Sequence, residues 1–246
     1  MGAVRGARQD HTKRDRLHGR RRGRPLRATQ RHLVEGLLPR LAIDLPPEGR
    51  VLDPRALFDR PLPQLWLEIG FGAGEHLAWQ ALRQSERDGP AGIIGAEVYL
   101  NGIAKLLRGL EGTAALARTR IYQGDARALM AALPERSLDR VFILFPDPWP
   151  KTRHHKRRLI QHTSLARLAA LLKDGGELRL ATDDPGYLDW RLERLFRQEA
   201  FDWMASGPAD WRYRPADWPA TRYEEKALEA GRRPVYLRFR RRPRES

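Results

Sequence analysis

The chain has 246 residues, 46 Lys and Arg against 31 Asp and Glu, a formal net charge of +15 and no cysteine. That length suits one large domain or one domain with appendages, and 41 % apolar residues suffice for a core. The missing thiols exclude disulfides, thiolate zinc sites and cysteine nucleophiles, and they fit a reducing, cytoplasmic compartment. No apolar stretch approaches the ~20 residues of a membrane span, and no apolar segment follows the first basic residues, so a secretory leader is not expected. The positive excess calls for a polyanion. No amphipathic helix with a bulky apolar face adjoins the basic runs, which favours nucleic acid over a membrane surface.

Residues 1–28 are rich in Arg, Gly and His and poor in large apolar groups, too poor to offset the entropy of ordering. They are expected to form a basic arm ahead of a single domain at 29–246. Leu33, Leu37, Leu38 and Leu41 predict a short amphipathic helix with Thr29 near its N-cap. Prolines at 46, 47, 54, 61 and 63 mark an irregular approach to the first strand.

A regular alternation follows. Strands are expected at 65–69, 92–97, 120–123 and 138–144, and again at 177–181 after a stop signal in Lys173-Asp-Gly-Gly176. Helices are expected at 75–86, then to about 108 with Val98, Ile103, Leu106 and Leu107 inward, and to about 133. A longer helix is expected at 155–172 with Ile160, Leu168, Leu171 and Leu172 on one face, and another to about 198 with Asp184 capping and Pro185 first. Two final strands fall at 201–204 and 234–239. The alternation implies an α/β fold, an open, mostly parallel sheet with helices on both faces, and ligands outside the C-terminal strand ends.

Chemistry gathers at those ends. Gly70, Gly72 and Gly74 form a turn after the first strand that lets a ligand approach the backbone. The dinucleotide fingerprint GxGxxG fails, because Glu75 stands where its third glycine would fall. Glu68 lies two residues before Gly70, Glu97 ends the second strand 23 residues after Gly74, and Asp125 follows the third. In such sheets an acid at Glu97 takes ribose hydroxyls, and Asp125 can meet an adenine amino group. An acid beside the glycine turn repels a pyrophosphate but suits an ammonium, so the set favours S-adenosylmethionine. Either Glu97 or Asp125 alone could equally be an acid at a helix start.

After the fourth strand comes Phe145-Pro-Asp147-Pro148-Trp149-Pro-Lys151, then Arg153-His-His-Lys156-Arg157-Arg158. The prolines bar helix and central strand, leaving a stiff loop that holds Asp147 and an aromatic ring beside cations. Trp149 could stack on a base or pack under the loop. Adjacent histidines with no cysteine nearby give no reason to expect a metal. Asp183 can be a helix cap or a ligand, Thr221 to Lys226 a plain turn or part of a site, and Arg238 with Arg240 to Arg242 a solvated edge or RNA surface.

Glu68-Ile-Gly-Phe-Gly-Ala-Gly74, Ile94-Gly-Ala-Glu97, the Phe145–Lys151 segment with its basic run, Thr182-Asp183 and Thr221-Arg-Tyr-Glu224-Glu-Lys226 together resemble the bacterial tRNA (guanine-N7-)-methyltransferase family over residues 65–240. The resemblance implies a Rossmann-like class I methyltransferase with a seven-stranded sheet. It also implies S-adenosylmethionine as methyl donor and tRNA as partner, with guanine N7 at position 46 of the variable loop methylated. By residue it implies cofactor contacts at Glu68, Gly70, Gly72, Gly74, Glu97, Asp125 and Asp147, with Asp147 also catalytic. Substrate contacts are implied at Lys151, Asp183, Thr221, Arg222, Tyr223 and Glu224, and RNA contacts at Arg153, His154, His155, Lys156, Arg157 and Arg158. In this reading Asp147 stabilises charge on the alkylated ring, Asp183 accepts from the guanine N1 and N2 edge, and Glu224 does likewise or orients Lys151. A non-catalytic RNA-binding protein on the same scaffold, or a methyltransferase for another RNA base, are the alternatives.

Overall fold

The computed structural model describes residues 23–83 and 90–245. Most of the expected basic arm, and the end of the helix expected at 75–86, lie outside those residues. Chain order is α1 (Ala28–Gly36), α2 (Leu38–Leu41), β1 (Gln64–Ile69), α3 (Glu75–Arg83), β2 (Ala91–Glu97), α4 (Leu100–Leu110), β3 (Thr119–Gln123), α5 (Ala126–Ala132) and β4 (Leu138–Leu144). Then come α6 (His162–Leu171), β5 (Leu172–Thr182), α7 (Pro185–Phe196), β6 (Phe201–Trp203), α8 (Ala209–Arg212), α9 (Arg222–Glu229) and β7 (Val235–Arg241).

Among the described residues seven strands form one sheet in the order β3-β2-β1-β4-β5-β7-β6. The first five are parallel, and β7 runs antiparallel to both β5 and β6. The order reverses between β1 and β4, which opens a crevice at their C-terminal ends. Strand alternation builds both faces. Leu67, Ile94, Val141 and Ile143 point towards Leu129 of α5 and Leu165 and Leu168 of α6. Trp66, Ile93 and Phe142 point the other way, towards Leu77 of α3 and Ile103, Leu106 and Leu107 of α4. No helix among the described residues is long and apolar enough to cross a membrane.

Several expectations are corrected. The first helix is capped at Arg27, not Thr29, and breaks after Gly36 into α2. Val98 precedes α4 and does not belong to its buried face. The single helix expected at 155–172 is a 3-10 turn, Thr152–Arg157, followed by α6. Ile160 between them is nonetheless fully buried. Lys173-Asp-Gly-Gly176 does not stop the chain before a strand: it belongs to β5, with a register shift opposite Leu138 and Arg140. Gly175 absorbs a φ of 80° there, and Lys173 Nζ pairs with both oxygens of Asp139 at 2.8 Å.

Candidate active site

The sheet sets three acids at the ends of β1, β2 and β3, around the turn leaving β1. Gly70, Gly72 and Gly74 have φ of 70°, 57° and 75°, values that favour glycine. A Cβ on Gly74 would also come within 2.6 Å of Leu106 Cβ, so the turn sits tightly on α4. Glu97 is 8 % exposed and closes the turn from the side. Its Oε2 accepts from Gly72 N at 2.7 Å, and its Oε1 accepts from Val98 N at 2.7 Å and Tyr99 N at 3.0 Å. Burial raises the Glu97 pKa, the three N–H groups pull it down, and the charge of Asp147 adds to the rise. Asp147 therefore lies within electrostatic reach of Glu97 across the crevice.

Glu68 lines a small pocket with Gly70, Glu75, His76, Phe145 and Tyr223. Its Oε2 lies 2.7 Å from His76 Nδ1. Gln80 Nε2 is 2.8 Å from Asp217 O and 3.1 Å from His76 Nε2. An amide nitrogen only donates, so His76 Nε2 accepts and its proton sits on Nδ1, donating to Glu68. His76 thereby holds the Glu68 carboxylate at the wall of the pocket. Asp125 caps α5, accepting from Arg127 N at 3.0 Å and Arg127 Nε at 3.1 Å. Of the two roles its sequence position allowed, the helix-start acid is therefore filled.

The opposite wall is the loop leaving β4. Phe145 and Trp149 take φ of 47° and 46°, costly values for side chains of that size. Phe145 N is tied to Ala181 O at 2.9 Å, and Asp147 is exposed between the bends. The start of α9 covers the glycine turn. Thr221 caps it, accepting from Glu224 N at 3.3 Å, and Arg222 N donates to Glu75 Oε2 at 2.9 Å. Of the two readings left open for Thr221 to Lys226, the plain turn is replaced by this capped, docked helix. A Cβ on Gly72 would lie 3.1 Å from the Tyr223 ring. Burial, then the charges of Glu97, Asp147 and Glu75, raise the Tyr223 pKa, so its phenol stands among three carboxylates. Asp183 just beyond β5 accepts from Arg232 Nε at 2.6 Å, while the neighbouring Asp184 caps α7.

The comparisons with known proteins agree with this architecture. The 16S rRNA methyltransferase KamB superposes with a TM-score of 0.52 over 77 % of this chain and 91 % of that chain, at 13 % identity, a likeness of fold alone. A family model described as "Putative methyltransferase" matches residues 63–237. The tRNA (guanine-N(7)-)-methyltransferase of Rhodospirillum rubrum is 53 % identical over 93 % of this chain and 89 % of its own length. That of Paramagnetospirillum magneticum is 47 % identical over 94 % of each. The chain belongs to the tRNA (guanine-N7-)-methyltransferase family.

At the positions this methyltransferase family implies, Glu68, the three glycines, Glu97, Asp147, Thr221 and Tyr223 converge on one crevice. Lys151, Arg153 and Lys156 are exposed beside it, and His154, His155 and Arg157 are partly covered. Two expectations are corrected. Arg158 is 4 % exposed, turned away from solvent beneath the Asp147 loop, and cannot share the outward role of Arg153. Glu224 is 8 % exposed, and its Oε1 accepts from Arg214 Nε at 3.0 Å. The Tyr236 hydroxyl, its pKa raised by burial and then by Glu224, is its other partner, so Glu224 is oriented from within the fold and not towards Lys151. Trp149 has His154 edge-on at 5.8 Å and the Arg157 guanidinium 4.8 Å from its ring centre, so its ring packs against the basic run. Sequence reasoning missed His76. The signal was present: a lone histidine one residue into α3 and eight after Glu68 lies at the end of the same turn. Among the described residues no cluster of His, Asp and Glu could hold a metal ion.

Proposed function

We propose that this protein transfers a methyl group from S-adenosylmethionine to N7 of a guanine in the variable loop of tRNA, position 46, in the cytoplasm. The observation that carries the reading is the meeting of Glu68, Glu97 and Asp147 around a left-handed glycine turn. The donor set fits the cofactor. Its acids suit an ammonium and hydroxyls, and Glu97, with three of its roughly four lone-pair sites taken by backbone, keeps about one acceptor site for a ribose hydroxyl. Glu68 would hold the ammonium, Glu97 a ribose hydroxyl and Asp125 the adenine amino group. When bound, the cofactor supplies an electrophilic methyl on a sulfonium.

Guanine N7 carries an in-plane lone pair, so no base has to remove a proton first. The protein's work is alignment, which supplies up to ~7–11 kcal/mol in favourable cases, and placement of charge. Asp147 faces the positive charge that grows on the ring and stabilises it most in the transition state. Asp183 accepts from the N1 and N2 edge of guanine, which requires it to exchange its contact with Arg232. Thr221, Arg222, Tyr223 and the buried Glu224 shape the wall that this edge meets. Lys151, Arg153 and Lys156, with the partly covered His154, His155 and Arg157, meet phosphates. In this reading 29–246 is one methyltransferase domain, and the cations of 1–28 add further phosphate contacts.

The deciding experiment is methylation of unmodified tRNA with labelled cofactor, followed by nucleoside analysis. The label is expected in 7-methylguanosine from the variable loop. Label in an exocyclic-amine or ribose product, or no cofactor binding by calorimetry, would overturn the reading.

A further inference from the structure

We propose that Arg158 is a positioning residue: it fixes the bent loop that carries Asp147 from beneath, and it makes no contact with RNA. The inference rests on the reading of Asp147 as a group at the reacting atoms. Pro146, Pro148 and Pro150 strip the loop of every second N–H, so it cannot build a hydrogen-bonded turn of its own. Its carbonyls must find donors elsewhere. Arg158 supplies them, with Nε donating to Pro148 O at 2.8 Å and an Nη2 proton directed at Trp149 O at a longer 3.5 Å.

The guanidinium is itself held. Tyr187 and Trp190, one helical turn apart on α7, each place a ring centre 4.9 Å from it. Trp190 Nε1 donates to Ile160 O at 2.8 Å, and Gln161 Nε2 donates to Arg158 O at 3.1 Å, which fixes the backbone that bears the arginine. The other end of the loop is anchored in parallel. Ala181 O accepts both Phe145 N and the fully buried Arg191 Nη1, at 2.9 Å each, and Arg191 lies 4.1 Å from the same Tyr187 ring. The bend at Trp149 is thus clamped directly by Arg158, and the bend at Phe145 hangs by its backbone N–H from a carbonyl that Arg191 of α7 also holds.

The test compares Arg158→Lys and Arg158→Ala with Arg153→Ala in the full chain. Lysine keeps the charge but lacks the planar fork. Hydrogen exchange at the amides of Asp147, Trp149 and Lys151, single-turnover methyl transfer and tRNA affinity against salt are measured together. For Arg158→Lys, exchange in the loop is expected to rise and the rate to fall about 100-fold; Arg158→Ala, which removes the charge, is expected to keep tRNA affinity within about twofold and the salt slope unchanged. Unchanged exchange and rate in Arg158→Lys overturn the inference, and so do weaker tRNA binding and a shallower slope in Arg158→Ala, which would make Arg158 a phosphate contact. Faster exchange with an unchanged rate upholds the anchoring and overturns instead the role given to Asp147. A melting curve for each variant separates loop loosening from loss of the fold, and Arg158→Lys keeps the test open where Arg158→Ala does not fold.

Discussion

The two walls of the crevice are held by different means. On the glycine-turn side, Glu97 takes three backbone N–H groups from Gly72, Val98 and Tyr99, and the parallel register of β1 with β2 fixes their positions. On the Asp147 side the prolines remove such donors: Arg158, from beyond the 3-10 turn, donates to Pro148 O, and Phe145 N reaches a β5 carbonyl that Arg191 of α7 also holds. Where backbone does the positioning, single substitutions are absorbed. Where a few long cations do it, geometry hangs on individual residues. The side with fewer backbone bonds is the one that carries Asp147, the carboxylate proposed to face the reacting ring. The largest expected effect follows there. Asp147→Ala should lower the single-turnover rate by about 1,000-fold, the scale of losing one preorganised electrostatic group, while tRNA and cofactor affinities in filter-binding and calorimetric assays hardly change. An active variant would remove Asp147 from the chemistry and erase the functional difference between the walls.

A smaller effect is expected on the glycine-turn side. His76 is the one side chain there that does what backbone does for Glu97: it donates to a buried carboxylate, and it is itself fixed by Gln80 and Asp217 O. Its ring is edge-on to Phe142 at 4.6 Å, so His76→Ala costs packing as well. Losing one hydrogen bond to a charged group should weaken cofactor binding about tenfold, read by calorimetry, and leave tRNA affinity unchanged. Long-range nitrogen NMR should show wild-type His76 with Nδ1 protonated and Nε2 bare. A doubly protonated ring would mean Glu68 is compensated by a full charge, and the contrast between the walls would be weaker than the distances suggest.

The sequence made one wall more legible than the other, for a physical reason. Strand periodicity and a turn of glycines are local signals, so β4 at 138–144 and the ends of β1 and β2 could be read directly. Glu97 could be placed at a strand end by counting from Gly74. Arg158 could not be told from its neighbours, because a run of cations has no internal contrast. The rings that bury it, Tyr187 and Trp190, arrive some thirty residues later. Glu224 was misjudged for the same reason: Arg214 and Tyr236, which enclose it, come from separate elements. The Gly-Gly at 175–176 looked like a stop because turn chemistry is local, whereas pairing along β4 and β7 is not.

The smallest effect sharpens the comparison most, because it asks whether the basic run really divides into inward and outward members. Arg153 is exposed and carries none of the loop contacts that Arg158 makes. Arg153→Ala should weaken tRNA binding by about fivefold at most near physiological salt, as expected for one exposed charge contact. Its signature lies in the salt dependence. Each phosphate contact contributes roughly 0.7–0.9 to the slope of log affinity against log salt, so the variant should lose about that amount, with its melting temperature and single-turnover rate at saturating tRNA unchanged. A slope equal to that of the wild type would mean that Arg153 faces solvent without meeting RNA, and that the electrostatic footprint lies elsewhere on this basic chain. A shallower slope in Arg153→Ala beside an unchanged one in Arg158→Ala would place the boundary between RNA surface and loop scaffold inside six consecutive residues, Arg153 to Arg158.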